Sequence, residues 1–399
     1  MTEHTPNPSH GFGTRAIHHG YDPQANAGAV SPPVYLTSTY GFPGVEETEA
    51  AAALGGKLYA REYNPTTDLL ERRLANLEGA EEGLVVASGM AAFATLTLSL
   101  LSQGDEVVVH HTLYSNVIAM TEGGLPRFGI KVIPVDLSDP ARLDAALTPN
   151  TRLVYFETPV NPTNEILDIA AIAGRARRAG IPVVVDGTFA SPALHRPLEH
   201  GADLVLHSLT KYINGHGDVL GGALLGRHDL VERMRGHGLR YLTGAALSPM
   251  AVAFILRGLK TLPLRMERHS RSALAVAAML EAHPAVAWVR YPYLPSHPGH
   301  AIAKRQMSGG SGMMAFGLRS GFEGARRMMD ALQLITRAVS LGDVESLVMH
   351  PASLLRARQA VRPEARLASG VGEDLIRLSI GLEDADDLMD DLRQALARA

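Results

Sequence analysis

Residues 204–218, LVLHSLTKYINGHGD, decide how the chain is interpreted, because they place a lysine directly after an apolar run. The branched residues 204–206 predict a buried strand. The exit of that strand delivers the hydroxyls of Ser208 and Thr210 and the amine of Lys211 to a glycine-rich turn. Burial pushes a lysine toward its neutral, nucleophilic form. The stretch therefore predicts a reactive lysine at the end of a strand.

A neutral lysine can form a Schiff base with a carbonyl compound, and pyridoxal phosphate is the commonest carbonyl cofactor held in this way. Ser208 and Thr210 lie on either side of Leu209 and could face one phosphate group together. A solvated loop lysine is the alternative interpretation of so short a pattern. The rest of the chain has to decide between the two.

Composition excludes several classes of protein. The 399 residues suffice for two or three domains, and 46% hydrophobic with 20% charged residues is ordinary for a soluble enzyme. A net charge of -4 without a basic run makes nucleic acid and anionic membranes poor partners. The absence of cysteine excludes disulfides, thiolate catalysis and cysteine zinc sites.

No targeting or metal signal is visible either. The first 15 residues do not resemble a secretory signal, and no apolar run approaches the roughly 20 residues of a membrane span. We therefore expect a cytoplasmic protein. His18 and His19 have no third ligand at useful spacing, so no metal site is predicted.

Strand and helix patterns alternate through the central part of the chain, which predicts an α/β domain with a mostly parallel sheet. The predicted strands are 83–87, 106–110, 131–135, 153–157, 182–186, 204–208 and 222–225. Ligands of such sheets lie beyond the carboxyl ends of the strands. The polar residues at those ends are Ser88, Tyr114, Asn161, Asp186, Ser208 and Lys211. Together they predict a cofactor pocket.

The residues at two of these strand ends suggest specific roles in binding the cofactor. Residues 88–90 form a small-residue turn between a strand and a helix, where free backbone amides can bind an anion. Asp186 follows three valines, and a protonated ring nitrogen would satisfy a carboxylate in that position. A plain strand-to-helix connector and an aspartate that caps the turn at Gly187 are the alternatives.

The two ends of the chain differ from this pattern. Residues 1–60 are rich in turn formers and predict an extended arm that packs on another subunit. A helix follows up to Gly79, with Thr66 as its predicted cap. Prolines in 291–299 introduce a smaller C-terminal unit with strands at 313–318, 336–340 and 376–380. Arg377 lies inside the last of these and requires a carboxylate, from the protein or from a ligand.

At this point the sequence resembles the pyridoxal-phosphate enzymes of cystathionine and methionine metabolism. The resemblance covers nearly the whole chain. Its most specific pieces are 16–23 (AIHHGYDP), 87–90 (ASGM), 105–107 (DEV), 112–114 (TLY), 207–212 (HSLTKY), 215–218 (GHGD), 337–343 (RAVSLGD) and 381–384 (GLED).

The resemblance assigns roles to individual residues. Lys211 is implied as the Schiff-base lysine, Asp186 as the partner of the pyridinium nitrogen, and Tyr114 as the ring-stacking acid toward the leaving sulfur. The implied phosphate ligands are Gly89, Met90, Ser208, Thr210 and, from a neighbouring subunit, Tyr59 and Arg61. The implied residues near the cofactor oxygen and the substrate carboxylate are Asn161, Ser340 and Arg377, and Asn116 is implied at the substrate side of Tyr114.

The implied fold is a fold type I enzyme with a mostly parallel seven-stranded sheet and an α+β C-terminal domain. We place the intersubunit arm at 1–62, the cofactor-binding domain at 63–250 and the C-terminal domain at 251–399. The implied assembly is a homotetramer, as a dimer of dimers with shared active sites. The implied activity is α,γ-elimination from a sulfur amino acid, most closely as in the methionine-degrading members.

Three departures bear on the substrate. Asn116 replaces a cysteine usual in methionine-degrading relatives, Arg240-Tyr241 replaces lysine-aspartate, and Gly187 replaces an asparagine after Asp186. Cystathionine γ-lyase, cystathionine γ-synthase and O-acylhomoserine sulfhydrylase activities therefore remain as alternatives. A catalytically silent amino-acid-binding relative is the alternative from outside the enzymes.

Overall fold

The computed structural model describes residues 10–53, 58–358 and 371–399. Its strands are β1 Glu82–Val86, β2 Glu106–His110, β3 Lys131–Val135, β4 Thr151–Glu157, β5 Val183–Asp186, β6 Leu204–Ser208, β7 Gly222–Gly226, β8 Val286–Arg290, β9 Met313–Leu318, β10 Thr336–Arg337, β11 Leu347–Met349 and β12 Leu375–Ser379. The first seven belong to a mostly parallel central sheet, and the last five form a second sheet. The α/β class is thereby confirmed.

The α-helices are α1 Phe12–His18, α2 Val45–Ala53, α3 Pro65–Glu78, α4 Gly89–Leu100, α5 Ser115–Ala119, α6 Ala141–Ala146, α7 Ile169–Arg178, α8 Ser191–Leu194, α9 His228–Arg233, α10 Pro249–Leu259, α11 Leu262–Ala282, α12 His300–Gln306, α13 Gly321–Ala331, α14 Pro351–Arg358 and α15 Ala385–Leu396. A π-helical segment, Met234–Thr243, continues α9. No helix of the described residues combines the length and the apolar character that crossing a membrane requires.

The chain divides into two compact units, each built from two separate segments. The first unit comprises Met1–Leu101 and Asp203–Pro263, and the second comprises Ser102–Ala202 and Leu264–Ala399. Each unit is therefore discontinuous in sequence. The three-part division at 62 and 250 remains a prediction.

In the first unit, β7 lies between β1 and β6 and runs antiparallel to both. The helix α3 buries Leu70, Leu74 and Leu77 in the core of this unit. Asn64, and not the predicted Thr66, caps α3: its side chain accepts a 2.9 Å hydrogen bond from the Thr66 amide. Proline at position 65 explains the shift, because it favours the first helical position, which directly follows the cap.

In the second unit, β5, β4, β2 and β3 lie side by side with parallel pairing. Apolar residues of β2, β4 and β5 pack against α7, whose buried Ile169, Ile172 and Ala173 recur at helical spacing. The parallel register pairs Glu157 of β4 with Asp186 of β5. Two carboxyl groups thus end neighbouring strands of one sheet.

The second sheet also belongs to the second unit and has the order β10-β11-β12-β9-β8. The predicted strand 336–340 is wrong in length, because only two residues pair, and they do so with β11. The sequence interpretation missed β8 and β11. The predicted extended arm is also wrong in its local structure, since it contains the helices α1 and α2.

Candidate functional site

Lys211 lies in the turn between β6 and β7, in the first unit. The Gly215 amide donates a 2.7 Å hydrogen bond to the Lys211 carbonyl, and the Leu209 amide donates a 2.9 Å bond to the Gly221 carbonyl. Gly215 and Gly217 have φ values of 75° and 65°, which favour glycine. Lys211 itself is half-buried. The turn holds the lysine backbone in a hydrogen-bonded loop directly after a buried strand.

A small-residue cradle surrounds the first turn of α4, and we define it as Ser88, Gly89, Met90, Ser208 and Gly222. The Ser88 hydroxyl accepts a 3.1 Å hydrogen bond from the Ala91 amide and so caps the helix. A Cβ atom on Gly89 would lie 3.1 Å from the Ser208 Cβ, and a Cβ on Gly222 would lie 2.1 Å from the Ser88 carbonyl oxygen. Only glycine fits at position 222.

The cradle fits a phosphate group. The amides of Gly89 and Met90 lie in the first turn of a 12-residue helix, where backbone donors have no intrahelical acceptor and the helix dipole favours an anion. Ser208 adds a hydroxyl-bearing side chain next to Gly89. The Thr210 hydroxyl donates to the Gly221 carbonyl at 3.3 Å and accepts from the Gly221 amide at 3.1 Å.

Tyr59 and Arg61 form a separate group in the first unit. The Arg61 guanidinium carbon lies 5.2 Å from the centre of the Tyr59 ring, and both side chains are exposed. A backbone bridge between Tyr59 and Thr39 fixes this segment. A hydroxyl and a cation are therefore presented together at the surface of the single chain.

In the second unit, Asp186 ends β5 and accepts hydrogen bonds from Thr188 and Tyr155. The Thr188 amide donates to Oδ1 at 2.9 Å, and the Tyr155 hydroxyl donates to Oδ2 at 3.3 Å. Burial, followed by the charge of Asp186, raises the pKa of Tyr155 well above its usual value. The tyrosine therefore stays protonated and acts as a hydrogen-bond donor to the Asp186 carboxyl group.

Glu157 ends the adjacent strand, β4, and is 4% exposed. Its Oε1 accepts the Tyr114 amide at 2.7 Å, and its Oε2 accepts the Asn161 amide at 3.2 Å. Burial, and then the neighbouring Asp186, raise the pKa of Glu157 well above the usual value, while the two amides oppose the shift. One buried carboxyl group thus connects the segments that carry two predicted site residues.

Tyr114 immediately precedes α5 and is 40% exposed. The Asn116 side-chain amide donates a 2.9 Å hydrogen bond to the Tyr114 hydroxyl oxygen. An amide donor stabilises negative charge on that oxygen. Asn116 therefore contacts the very atom that the resemblance assigns to proton transfer.

Arg377 lies in β12 and is 4% exposed. Its Nη1 donates to the Asn161 Oδ1 at 3.1 Å, and its Nη2 donates to the carbonyls of Val339 and Ser340 at 2.9 Å each. The guanidinium is therefore held by three acceptors from two segments. This arrangement brings together three of the four predicted substrate residues, Asn161, Ser340 and Arg377.

Three residues of these groups were missed from sequence: Tyr155, Glu157 and Gly222. Glu157 carried a signal, because it follows the apolar run 153–156 just as Asp186 follows 183–185. Tyr155 and Gly222 carried none, since their roles depend on the strand register and on the approach of the Ser88 backbone.

His110, His111 and Asp136 form a cluster whose ligand atoms lie within 4.8 Å of one another. The Nδ1 of His110 already accepts the Leu137 amide at 3.2 Å, and Asp136 already pairs with Arg142 at 3.1 Å. The Arg142 guanidinium would repel a cation. We assign no metal to this cluster.

Comparison with known proteins gives a consistent result. The model of the family described as "Cys/Met metabolism PLP-dependent enzyme" matches residues 13–397. L-methionine γ-lyase of Pseudomonas putida is 50% identical over 395 residues, which cover 98% of this chain and 99% of the relative. L-methionine γ-lyase of Treponema denticola is 43% identical over 97% of this chain and 96% of its own length, and cystathionine γ-synthase of Mycobacterium bovis is 44% identical over 97% of each.

The chain belongs to the Cys/Met metabolism PLP-dependent enzyme family.

Membership confirms the resemblance seen in the sequence and identifies the cofactor class as pyridoxal phosphate. The departures from the family pattern can now be located. Arg240, in the π-helical segment, pairs with Glu62 at 3.0 Å and lies 5.2 Å from the centre of the Tyr241 ring. Tyr241 is 67% exposed. Asn116 is the departure that contacts a predicted catalytic residue.

Proposed function

We propose that the protein catalyses α,γ-elimination of L-methionine, in which methionine and water give methanethiol, 2-oxobutanoate and ammonia. The observation that carries this proposal is the 50% identity to L-methionine γ-lyase of P. putida over 98% of this chain. The Tyr114, Asn161 and Arg377 arrangement supports it, because an amino-acid substrate needs a carboxylate ligand and a departing thiolate needs a proton source.

Pyridoxal phosphate supplies an electron sink for the α carbon of the substrate when it is bound. In our proposal, Lys211 holds the cofactor covalently, and the cradle amides of Gly89 and Met90 hold its phosphate with Ser208 and Thr210. The Asp186 carboxylate would accept a hydrogen bond from the protonated ring nitrogen. The Tyr155 hydroxyl and the Thr188 amide keep that carboxylate oriented.

The protein's own residues then move protons and orient the substrate. Once the amino group of the substrate has displaced Lys211 from the cofactor, the freed Lys211 amine would remove the proton from the α carbon, and the Tyr114 hydroxyl would protonate the leaving sulfur. Arg377 binds the substrate carboxylate through a guanidinium that Asn161 and two backbone carbonyls already hold in place. A fixed guanidinium loses little entropy on binding, which favours accurate orientation.

We further propose a cytoplasmic homotetramer, arranged as a dimer of dimers. Tyr59 and Arg61 are exposed in the single chain and would contact a cofactor phosphate held by the neighbouring subunit. The same segment of the chain exposes Val30, Leu36 and Val45 by 83, 72 and 76%. Apolar side chains so exposed favour burial against another subunit.

The test is a side-by-side assay of the purified holoenzyme with L-methionine, L-homocysteine, L-cystathionine and an O-acylhomoserine with cysteine. We expect methanethiol and 2-oxobutanoate from methionine in equal amounts. The relative from M. bovis and the Asn116 departure make γ-synthase the second candidate. Formation of cystathionine, with no methanethiol from methionine, would support that candidate and reject the first.

A further inference from the structure

Glu157 occupies a position that no role assigned so far explains. Its carboxyl group is buried at the end of β4 and accepts hydrogen bonds from two backbone amides, those of Tyr114 and Asn161. Tyr114 is 43 positions away in sequence and precedes α5, whereas Asn161 lies in the turn that follows β4. Glu157 therefore forms hydrogen bonds with two segments that follow neighbouring strands, β2 and β4.

Each amide belongs to a residue with a proposed part in the reaction. The side-chain hydroxyl of Tyr114 accepts a hydrogen bond from Asn116. The side-chain oxygen of Asn161 accepts a 3.1 Å hydrogen bond from Arg377 Nη1. A continuous series of contacts therefore runs from Tyr114 through Glu157 and Asn161 to Arg377. The two ends of the series are the proton donor for the leaving group and the ligand of the substrate carboxylate.

The energetics of Glu157 argue against a role in stability alone. A buried carboxyl group is costly unless it is paired, and no lysine, arginine or histidine of the described residues forms a salt bridge with it. Asp186, its partner in the strand register, adds a second carboxyl group, which disfavours negative charge on Glu157. A glutamine would avoid this cost, but it replaces one of the two acceptor oxygens by a donor NH₂ group and so cannot accept the two amides on separate oxygens as Glu157 does.

We propose that Glu157 is a positioning residue, which sets the spacing between the Tyr114 hydroxyl and the Asn161–Arg377 pair by binding both backbone amides. This inference rests on the proposed function. A substrate whose carboxylate is held by Arg377 places its γ substituent at a fixed distance, so the donor must lie at the matching distance. Misplacement by about 1 Å can cost on the order of a hundredfold in rate.

The test compares the wild-type holoenzyme with Glu157→Gln. We expect kcat for methionine elimination to fall on the order of tenfold to a hundredfold and KM to rise severalfold. At saturating concentration, exchange of the α hydrogen of L-norleucine with solvent deuterium should fall less than about threefold, because this step needs no leaving-group acid. Glu157→Asp keeps both acceptor oxygens and should recover part of the elimination rate.

A double-mutant cycle separates positioning from general damage. In a Tyr114→Phe background, Glu157→Gln should slow elimination by less than about threefold, because the group that it positions is already absent. Asp391→Asn is the matched control. Asp391 is also buried and accepts backbone amides, from Gln333, Leu334 and Ile335, but contacts no proposed site residue. The Asp391→Asn substitution should lower thermal stability and leave the ratio of the methionine elimination rate to the norleucine exchange rate unchanged.

Equal losses of elimination and exchange, or additive losses in the Tyr114→Phe background, would overturn the inference. It would also be overturned if neither Glu157→Gln nor Glu157→Asp yielded folded protein, because Glu157 would then be a purely structural residue. A wild-type enzyme that exchanges norleucine but does not release methanethiol would instead contradict the proposed function.

Discussion

Gly222→Ala tests whether the small-residue cradle around α4 holds the cofactor. The added Cβ would lie 2.1 Å from the Ser88 carbonyl oxygen and 2.9 Å from the Gly89 nitrogen. Carbon atoms without strain keep about 3.5 Å from such neighbours, so the Ser88 carbonyl oxygen must move by roughly 1.4 Å. Both neighbours are main-chain atoms, which cannot rotate away as a flexible side chain could.

This displacement has two measurable consequences. Overpacking of this kind costs typically about 1–3 kcal/mol of unfolding free energy. It also moves the first amides of α4, so we expect the affinity for pyridoxal phosphate to fall on the order of tenfold to a hundredfold. The assays are urea unfolding of the apoprotein and titration of the apoprotein with cofactor, followed by visible absorbance.

Gly174→Ala is the control. A Cβ at Gly174, inside α7, would meet no atom within 4 Å. Alanine is the better helix former, so this variant should gain roughly 0.5–1 kcal/mol and bind the cofactor as the wild type does. Wild-type cofactor affinity in folded Gly222→Ala would refute the reasoning about the cradle.

Three further predictions concern single side chains. Arg377→Lys should raise KM for methionine by roughly tenfold or more with a smaller change in kcat, because lysine cannot reproduce the planar fork; steady-state kinetics checks this, and an unchanged KM would contradict it. Asn116→Ala should lower kcat severalfold, since the Tyr114 oxygen loses its 2.9 Å donor; an unchanged kcat in the same assay would remove Asn116 from the site. Burial lowers the pKa of His269 to about 4. Between about pH 6.5 and pH 4, this histidine is therefore protonated in the unfolded state but not in the folded state. Acidification from pH 7 to pH 5 should therefore lower the unfolding free energy by about 2 kcal/mol. Urea unfolding of His269→Gln should show a shallower dependence on pH, and an identical dependence would count against this assignment.

Much of the fold could be predicted because buried strands have a simple sequence pattern. The predicted strands 106–110, 131–135, 204–208 and 313–318 match the structure residue for residue, because each is a short apolar run bounded by turn residues. The antiparallel direction of β7 was not predictable, since a strand's sequence does not specify its direction. The strand β11 was missed because only its three residues form an apolar run, whereas β8 was missed although residues 285–289 are continuously apolar.

The candidate site likewise contains residues that could be predicted from the sequence and residues that could not. Asp186 and Lys211 could be found because a charged group at the end of an apolar run is unusual. Asn161 and Arg377 were singled out from the strand pattern, and the family resemblance added Ser340 and the substrate role of all three. The hydrogen bond between Arg377 and Asn161 depends on a contact across 216 positions of sequence. Glu157 also ends an apolar run, but its role depends on which amides its carboxyl group meets, and sequence does not specify that.

The central claim is that Lys211 carries the cofactor. The most direct measurement is borohydride reduction of the holoenzyme, followed by proteolysis and mass spectrometry of the labelled peptide. The chain has five lysines, at positions 57, 131, 211, 260 and 304. We predict a single label on Lys211, whereas a label on another lysine, or none in folded protein supplied with cofactor, would contradict the account.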